Sequence, residues 1–222
     1  MTEMTDQGPR VAIQAVTGAA PSPELPGVPS ESSRDVDVAR AREYGLLAVL
    51  LARAPDRPLL RRIATIEGGP TPLGAAHASL AQAATDAQAD SIEREYFELF
   101  VGVGRGELMP YGSYYRTGFI NERPLARLRE DLLALGIERV EGETEPEDHA
   151  ALLCEIMAGL IDGRLRGSDD AQQGIFDRHL APWMGRFFSD LEQSESADFY
   201  RHVGTIGRLF IEIERAAFAL PV

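Results

Sequence analysis

The chain has no lysine: all 22 of its basic residues are arginine. That absence excludes lysine Schiff bases, lysine general bases and P-loop phosphate chemistry together. Cysteine is almost as scarce. The single Cys154 permits no intramolecular disulfide and no CxxC zinc or redox motif, and its place in an apolar helical stretch reads as small core filler. No apolar run approaches the roughly 18 residues of a membrane span, and no segment alternates convincingly as a strand. Basic charge is short as well. With 22 basic against 35 acidic residues the net charge is −13, which argues against nucleic acid and for a basic partner.

The first residues, MTEMTDQGPRVAIQAVTG, carry acids where an export signal needs bases, so a cytoplasmic protein is expected. Residues 1–35 are rich in Ala, Pro, Ser and Gly without an apolar period and read as a disordered tail. Residues 36–222 form the domain. Its period is helical throughout: Tyr44, Leu47, Leu50 and Leu51 make one stripe, and Asp56, Thr71 and Ser168 are placed to cap further helices. Asp90 with Glu93 reads as a capping box before Ile92, Tyr96, Leu99 and Phe100. A helix from about Pro124 should stop at Gly136, and Ser196 should start the last one. The expected architecture is all-α, a single irregular bundle of about eight to ten helices.

Two segments do not dissolve into that pattern. In EYFELFVGVGRGELMPYGSYY, residues 95–115, an aromatic helix face runs into a loop with glycines at 102, 104, 106 and 112 and a proline at 110. Leu99 and Phe100 fit core packing. The rings of Tyr111, Tyr114 and Tyr115 beside a pliable loop suit an apolar peptide. In TEPEDHAALLCEIM, residues 144–157, Thr144, Pro146 and Glu147 have the spacing of a capped helix start. Five carboxylates, Glu141, Glu143, Glu145, Glu147 and Asp148, fall within eight residues. Acids at a helix start are ordinary. His149, one turn after Glu145, is either a satisfied structural histidine or half of a site reading arginine through Glu145 or Asp148.

Catalytic and metal signals are weak. Ser113 lacks a GxSxG elbow and Cys154 has no nearby base. Glu145 and His149 have no second histidine or cysteine near them, and His77, His179 and His202 are scattered. No cofactor is expected from these residues.

Tyr96-x-x-Leu99-Phe100, then Pro110-Tyr111-Gly112-Ser113-x-Tyr115, then Glu145-Pro146-x-Asp148-His149 resemble, in order and spacing, the signature of the TorD/DmsD family of redox-enzyme maturation chaperones. His179-Leu180-x-Pro182-Trp183 and Phe199-Tyr200 extend the resemblance to about residues 36–215. It implies an all-helical chaperone without catalysis, binding the twin-arginine signal peptide of a molybdenum oxidoreductase subunit and delaying export until the cofactor is inserted. It also implies a peptide cleft built from Tyr96, Leu99, Phe100, Pro110, Tyr111, Ser113, Tyr115, Glu145, Pro146, Asp148 and His149, in a monomer or homodimer. Asp148→Ala and His149→Ala should then weaken client binding while Thr144 and Glu147 keep the helix capped. The alternative is a molybdenum-cofactor or nucleotide-binding accessory protein, with Arg105, Arg116 and Arg123 lining an anion pocket.

Overall fold

Three helix starts fall where their capping residues stand. In the computed structural model, which describes residues 13–15, 31–140, 142 and 144–220, the Asp56 carboxylate accepts from Leu59 N at the head of α2 (Arg57–Ile63). Thr71 Oγ1 accepts from Gly74 N at α3 (Pro72–Asp86), and Ser168 Oγ from Ala171 N at α8 (Asp169–Ile175). Each side-chain oxygen satisfies an amide the helix leaves without a partner. Helix α6 (Arg123–Ala134) stops before Gly136, which takes the left-handed φ of 67°.

The remaining helices are α1 (Glu31–Ala52), α4 (Ala89–Tyr96), α5 (Gly112–Thr117), α7 (Ala150–Ile161), α9 (Met184–Gln193) and α10 (Phe199–Phe218), ten in all among the described residues. The all-helical expectation holds. Helix α7 is the axis of the bundle. Its sequence AALLCEIMAGLI is apolar nearly all round and buries ten residues, as a central helix must. Along it runs α1, burying Tyr44, Leu47, Leu50 and Leu51. Burial pushes the Cys154 thiol well above its ordinary range, in keeping with core filler.

Helices α9 and α10 form a tight antiparallel pair because two glycines let the backbones meet. A Cβ on Gly204 would lie 2.6 Å from the Glu192 nitrogen, and one on Gly207 would overlap the Phe188 ring. Gly207→Ala should therefore destabilise the protein by about 1–3 kcal/mol through forced repacking, read by urea unfolding. A loss below about 0.3 kcal/mol would show that the Phe188 ring gives way freely.

Several features differ from the sequence expectation. Two short strands pair antiparallel, β1 (Ile13–Ala15) with β2 (Ile137–Arg139). Three residues are too few for alternation to register in the sequence. Ile13–Ala15 and the first turn of α1 both lie within residues 1–35, where disorder was expected; the rest of that tail lies outside the described residues, as do Glu141 and Glu143. Helix α4 starts after Gln88 without a side-chain cap, so Asp90 and Glu93 form no capping box. It passes directly into a π-helical segment, Phe97–Val101, and a second π segment, Phe176–Leu180, follows α8. Nor does Ser196 cap α10. The Glu95 carboxylate, reaching across from α4, accepts from Asp198 N at 2.8 Å, Phe199 N at 3.1 Å and Tyr200 N at 2.7 Å. Burial raises the Glu95 pKa even though these amides pull it down.

Candidate functional site

The loop between the first π segment and α5 is folded back on its own helix. Glu107 N donates to Glu98 O at 3.0 Å and Leu108 N to Leu99 O at 2.8 Å. Gly102, at φ 62°, makes the turn that begins this return. The chain then meets the head of α7 edge to edge. Tyr111 and His149 form an antiparallel bridge, with Ala150 N donating to Pro110 O at 2.8 Å and Gly112 N to Asp148 O at 2.9 Å. The two sequence motifs, far apart in the chain, are thus one structure.

That bridge relocates the helix start. Helix α7 begins at Ala150, not near Pro146, and its cap is His149, whose Nδ1 accepts from Ala151 N at 3.1 Å. Thr144 and Glu147 do not cap it. Pairing with Tyr111 holds His149 extended, at φ −65° and ψ 138°, and the Asp148 carbonyl is taken by Gly112. Glu147 turns instead to Arg129 at 2.7 Å and Arg139 at 3.8 Å. An acceptor at Nδ1 fixes the neutral ring with its proton on Nε2. Burial pulls the His149 pKa down to about 4.

The eleven predicted site residues divide by accessibility. Leu99, Pro110, Ser113, Asp148 and His149 are buried, whereas Tyr96, Phe100, Tyr111, Tyr115, Glu145 and Pro146 are half-buried. Asp148 Oδ2 accepts from Ser113 N at 2.6 Å, which pins α5 to the EPEDH turn. Asp148 Oδ1 and Ser113 Oγ are buried without a protein partner. Nearer the surface, the Tyr111 hydroxyl donates to Glu145 Oε1 at 2.6 Å, and its ring meets His149 edge-on at 5.1 Å. Burial and the Glu145 carboxylate push the Tyr111 pKa well up.

A second aromatic group flanks it. Tyr96 packs on Phe100 at 5.1 Å and on Tyr200 at 5.8 Å and donates to Leu51 O at 3.2 Å. Burial pushes its pKa to about 12. Tyr115 faces away from that group, stacked near Trp183 and Phe187 with its hydroxyl donating to Asp190 at 3.0 Å. Gly112 is required there: a Cβ would stand 2.9 Å from the Trp183 indole nitrogen. Trp183 entered the sequence reading only through the family resemblance, and Asp190, Arg129 and Arg139 were not singled out at all, since nothing local marks a residue whose role is a contact across the fold.

Asp148→Ala should cost roughly 1.5–3 kcal/mol, because it strands the buried Ser113 amide; Asp148→Asn, which retains an acceptor, should cost less. Equal midpoints for the alanine variant and the parent in urea would contradict this. The tolerance expected when Asp148 was placed on a helix capped elsewhere is thereby revised.

A groove of about 690 Å³ lies apart from the motifs, between α3, α4 and the start of α10, with Asp86, Glu95 and Asp198 among its walls and Ile92, Phe199 and His202 beside them. Among the described residues no group of three His, Cys, Asp or Glu side chains is placed to hold a metal, and no helix is long and apolar enough to cross a membrane. Of the arginines around the loop, Arg105 donates to the Tyr114 hydroxyl at 2.6 Å and Arg116 to the Arg178 carbonyl at 3.2 Å.

Residues 67–189 match the family described as nitrate reductase delta subunit. The chain is 27% identical over 139 residues to the chaperone protein TorD of Vibrio cholerae, covering 59% of this chain and 63% of that protein, so it spans less than two thirds of the relative. With TorD of Shewanella loihica it shares 23% identity over 209 residues, 84% of this chain and 96% of the relative. A solved structure described as a redox enzyme maturation protein of Archaeoglobus fulgidus shares the fold, with a TM-score of 0.51 and 23% identity over 79% of this chain and 93% of the other. The matched segment, 189 − 67 + 1 = 123 of 222 residues, contains both motifs. The chain belongs to the nitrate reductase delta subunit family, the TorD-like redox-enzyme maturation proteins.

Proposed function

We propose that the chain is a cytoplasmic chaperone, without catalysis of its own, that binds the twin-arginine signal peptide of a molybdenum-containing oxidoreductase subunit. Holding that peptide delays export until cofactor insertion is complete. The observation carrying this reading is the clamp of Pro110–Ser113 on Asp148–Ala150. It sets the half-buried Glu145 carboxylate beside the Tyr111 ring, within an acidic chain of net charge −13. A carboxylate bonded to a phenol and open on one side suits a guanidinium, and the neighbouring rings suit an apolar segment. The relatives named as TorD chaperones support the same role.

The roles of the motif residues follow from burial. Glu145, Tyr111, Pro146, Tyr96, Phe100 and Tyr115 are the candidates to touch a client. Asp148, His149, Ser113, Pro110 and Leu99 position them from within. A molybdenum-cofactor or nucleotide site gains little support, because Arg105 and Arg116 are directed to separate protein partners.

Glu145→Gln should weaken binding of a synthetic peptide with Arg-Arg before an apolar segment by about fivefold, roughly 1 kcal/mol, while leaving the unfolding midpoint near that of the parent. Asp198→Asn, in the separate groove, should leave affinity unchanged. The opposite ranking of the two variants would move the arginine site to the groove between α3, α4 and α10.

A further inference from the structure

Strand β1 has no role in the reading above, yet its partner strand reaches the site. Its residues pair antiparallel with β2 in the register Ile13–Arg139, Gln14–Glu138, Ala15–Ile137. Strand β2 in turn braces the EPEDH turn, for the Arg139 side chain donates to the Glu145 carbonyl at 3.2 Å and approaches Glu147 at 3.8 Å. A two-stranded ribbon of three-residue strands is marginal in water, so the pairing is readily exchanged. The β2 edge itself is a run of unpaired amides and carbonyls whenever β1 leaves, and such edges accept any extended chain. In sequence the tail carries a single arginine before a short apolar run: Arg10 precedes Val11, Ala12 and Ile13.

We propose that the β2 edge is a strand-addition site, that Ile13–Ala15 occupy it in the resting protein, and that an extended segment of the client replaces them. This inference rests on the peptide-binding reading. Main-chain hydrogen bonding to an edge tolerates many sequences, which suits recognition of an apolar segment. The covalent tether gives β1 a high local concentration. The client therefore meets a site open for only a fraction of the time, and its apparent affinity falls by that fraction.

The test uses the full chain with Ile13→Pro and Gln14→Pro together. Successive amides of a strand point to opposite sides, so of two neighbouring prolines one must remove a bond to β2. Gln14 is exposed, so its replacement disturbs no core. Amide hydrogen exchange at Ile137–Arg139 should accelerate in the variant. If the edge is open about a tenth of the time in the parent, affinity for an Arg-Arg signal peptide should rise about tenfold. A peptide of residues 8–18 added to the variant should compete with the signal peptide. Unchanged exchange, or equal or weaker affinity in the variant, overturns the inference and leaves peptide binding standing. No binding to either form overturns both.

Discussion

Replacing Arg40 with methionine should destabilise the protein by about 3–5 kcal/mol, because it leaves a buried carboxylate without its cation. Arg40 on α1 grips Glu214 on α10 with two bonds, Nε to Oε1 at 2.8 Å and a terminal nitrogen to Oε2 at 2.9 Å. The Tyr44 hydroxyl adds a third at 3.0 Å. Glu214 is only 1% exposed, so its carboxylate depends on the guanidinium and the Tyr44 hydroxyl rather than on solvent. Burial by itself lowers the Arg40 pKa, but the Glu214 contacts, with help from Asp37 and Tyr44, more than offset it and the group ends above its ordinary value. The double variant Arg40→Met/Glu214→Leu should recover much of the loss, since an apolar pair of similar volume needs no desolvation of charge. Denaturant unfolding of both variants is the check. A single variant within about 1 kcal/mol of the parent, or a double variant worse than the single, would contradict this account. The pair matters to the site because α1 supports α7, whose first turn carries the Tyr111 bridge.

The second large effect is acid lability at His149. Its pKa in the folded protein is about 4 against an ordinary value of 6.5. Between those values the unfolded chain binds a proton that the folded chain refuses, so stability is full above pH 6.5 and declines as pH falls toward 4. The loss approaches roughly 3 kcal/mol, the equivalent of the shift at 1.36 kcal/mol per pH unit. The geometry gives the same sign independently: a proton on Nδ1 would face the Ala151 amide and destroy the cap. His149→Asn keeps a capping oxygen without titrating in this range. The difference in unfolding free energy between parent and variant should therefore shift toward the variant by about that amount on going from pH 7 to pH 4. A difference independent of pH would mean that His149 protonates freely in the fold.

Why the sequence showed some of this and not the rest can be seen residue by residue. Asp56, Thr71, Ser168 and Gly136 were legible because each acts on amides or a turn within four positions of itself. The apolar run of α7 was legible for the same reason. Thr144, Pro146 and Glu147 misled because their local pattern is a good helix start, while the two hydrogen bonds of the Tyr111–His149 bridge hold the chain extended until His149. Glu95 and Ser196 show the converse case. The cap of α10 comes from a residue about a hundred positions earlier, which no local window contains. At the site, the motif residues were legible as a pattern, but which of them are buried and which half-buried depended on the Tyr111–His149 bridge.

The central claim, recognition of a paired arginine followed by an apolar segment, is tested most directly by titration calorimetry of the full chain with three peptides. They share one apolar segment and carry Arg-Arg, Lys-Lys or Ala-Ala before it. Because a carboxylate–phenol pair favours the planar guanidinium, Arg-Arg should bind tightest and Ala-Ala weakest. Rising salt should weaken the Arg-Arg peptide without abolishing its binding, since the aromatic contacts are not screened. Equal affinity for all three peptides, at low and high salt alike, would contradict the account.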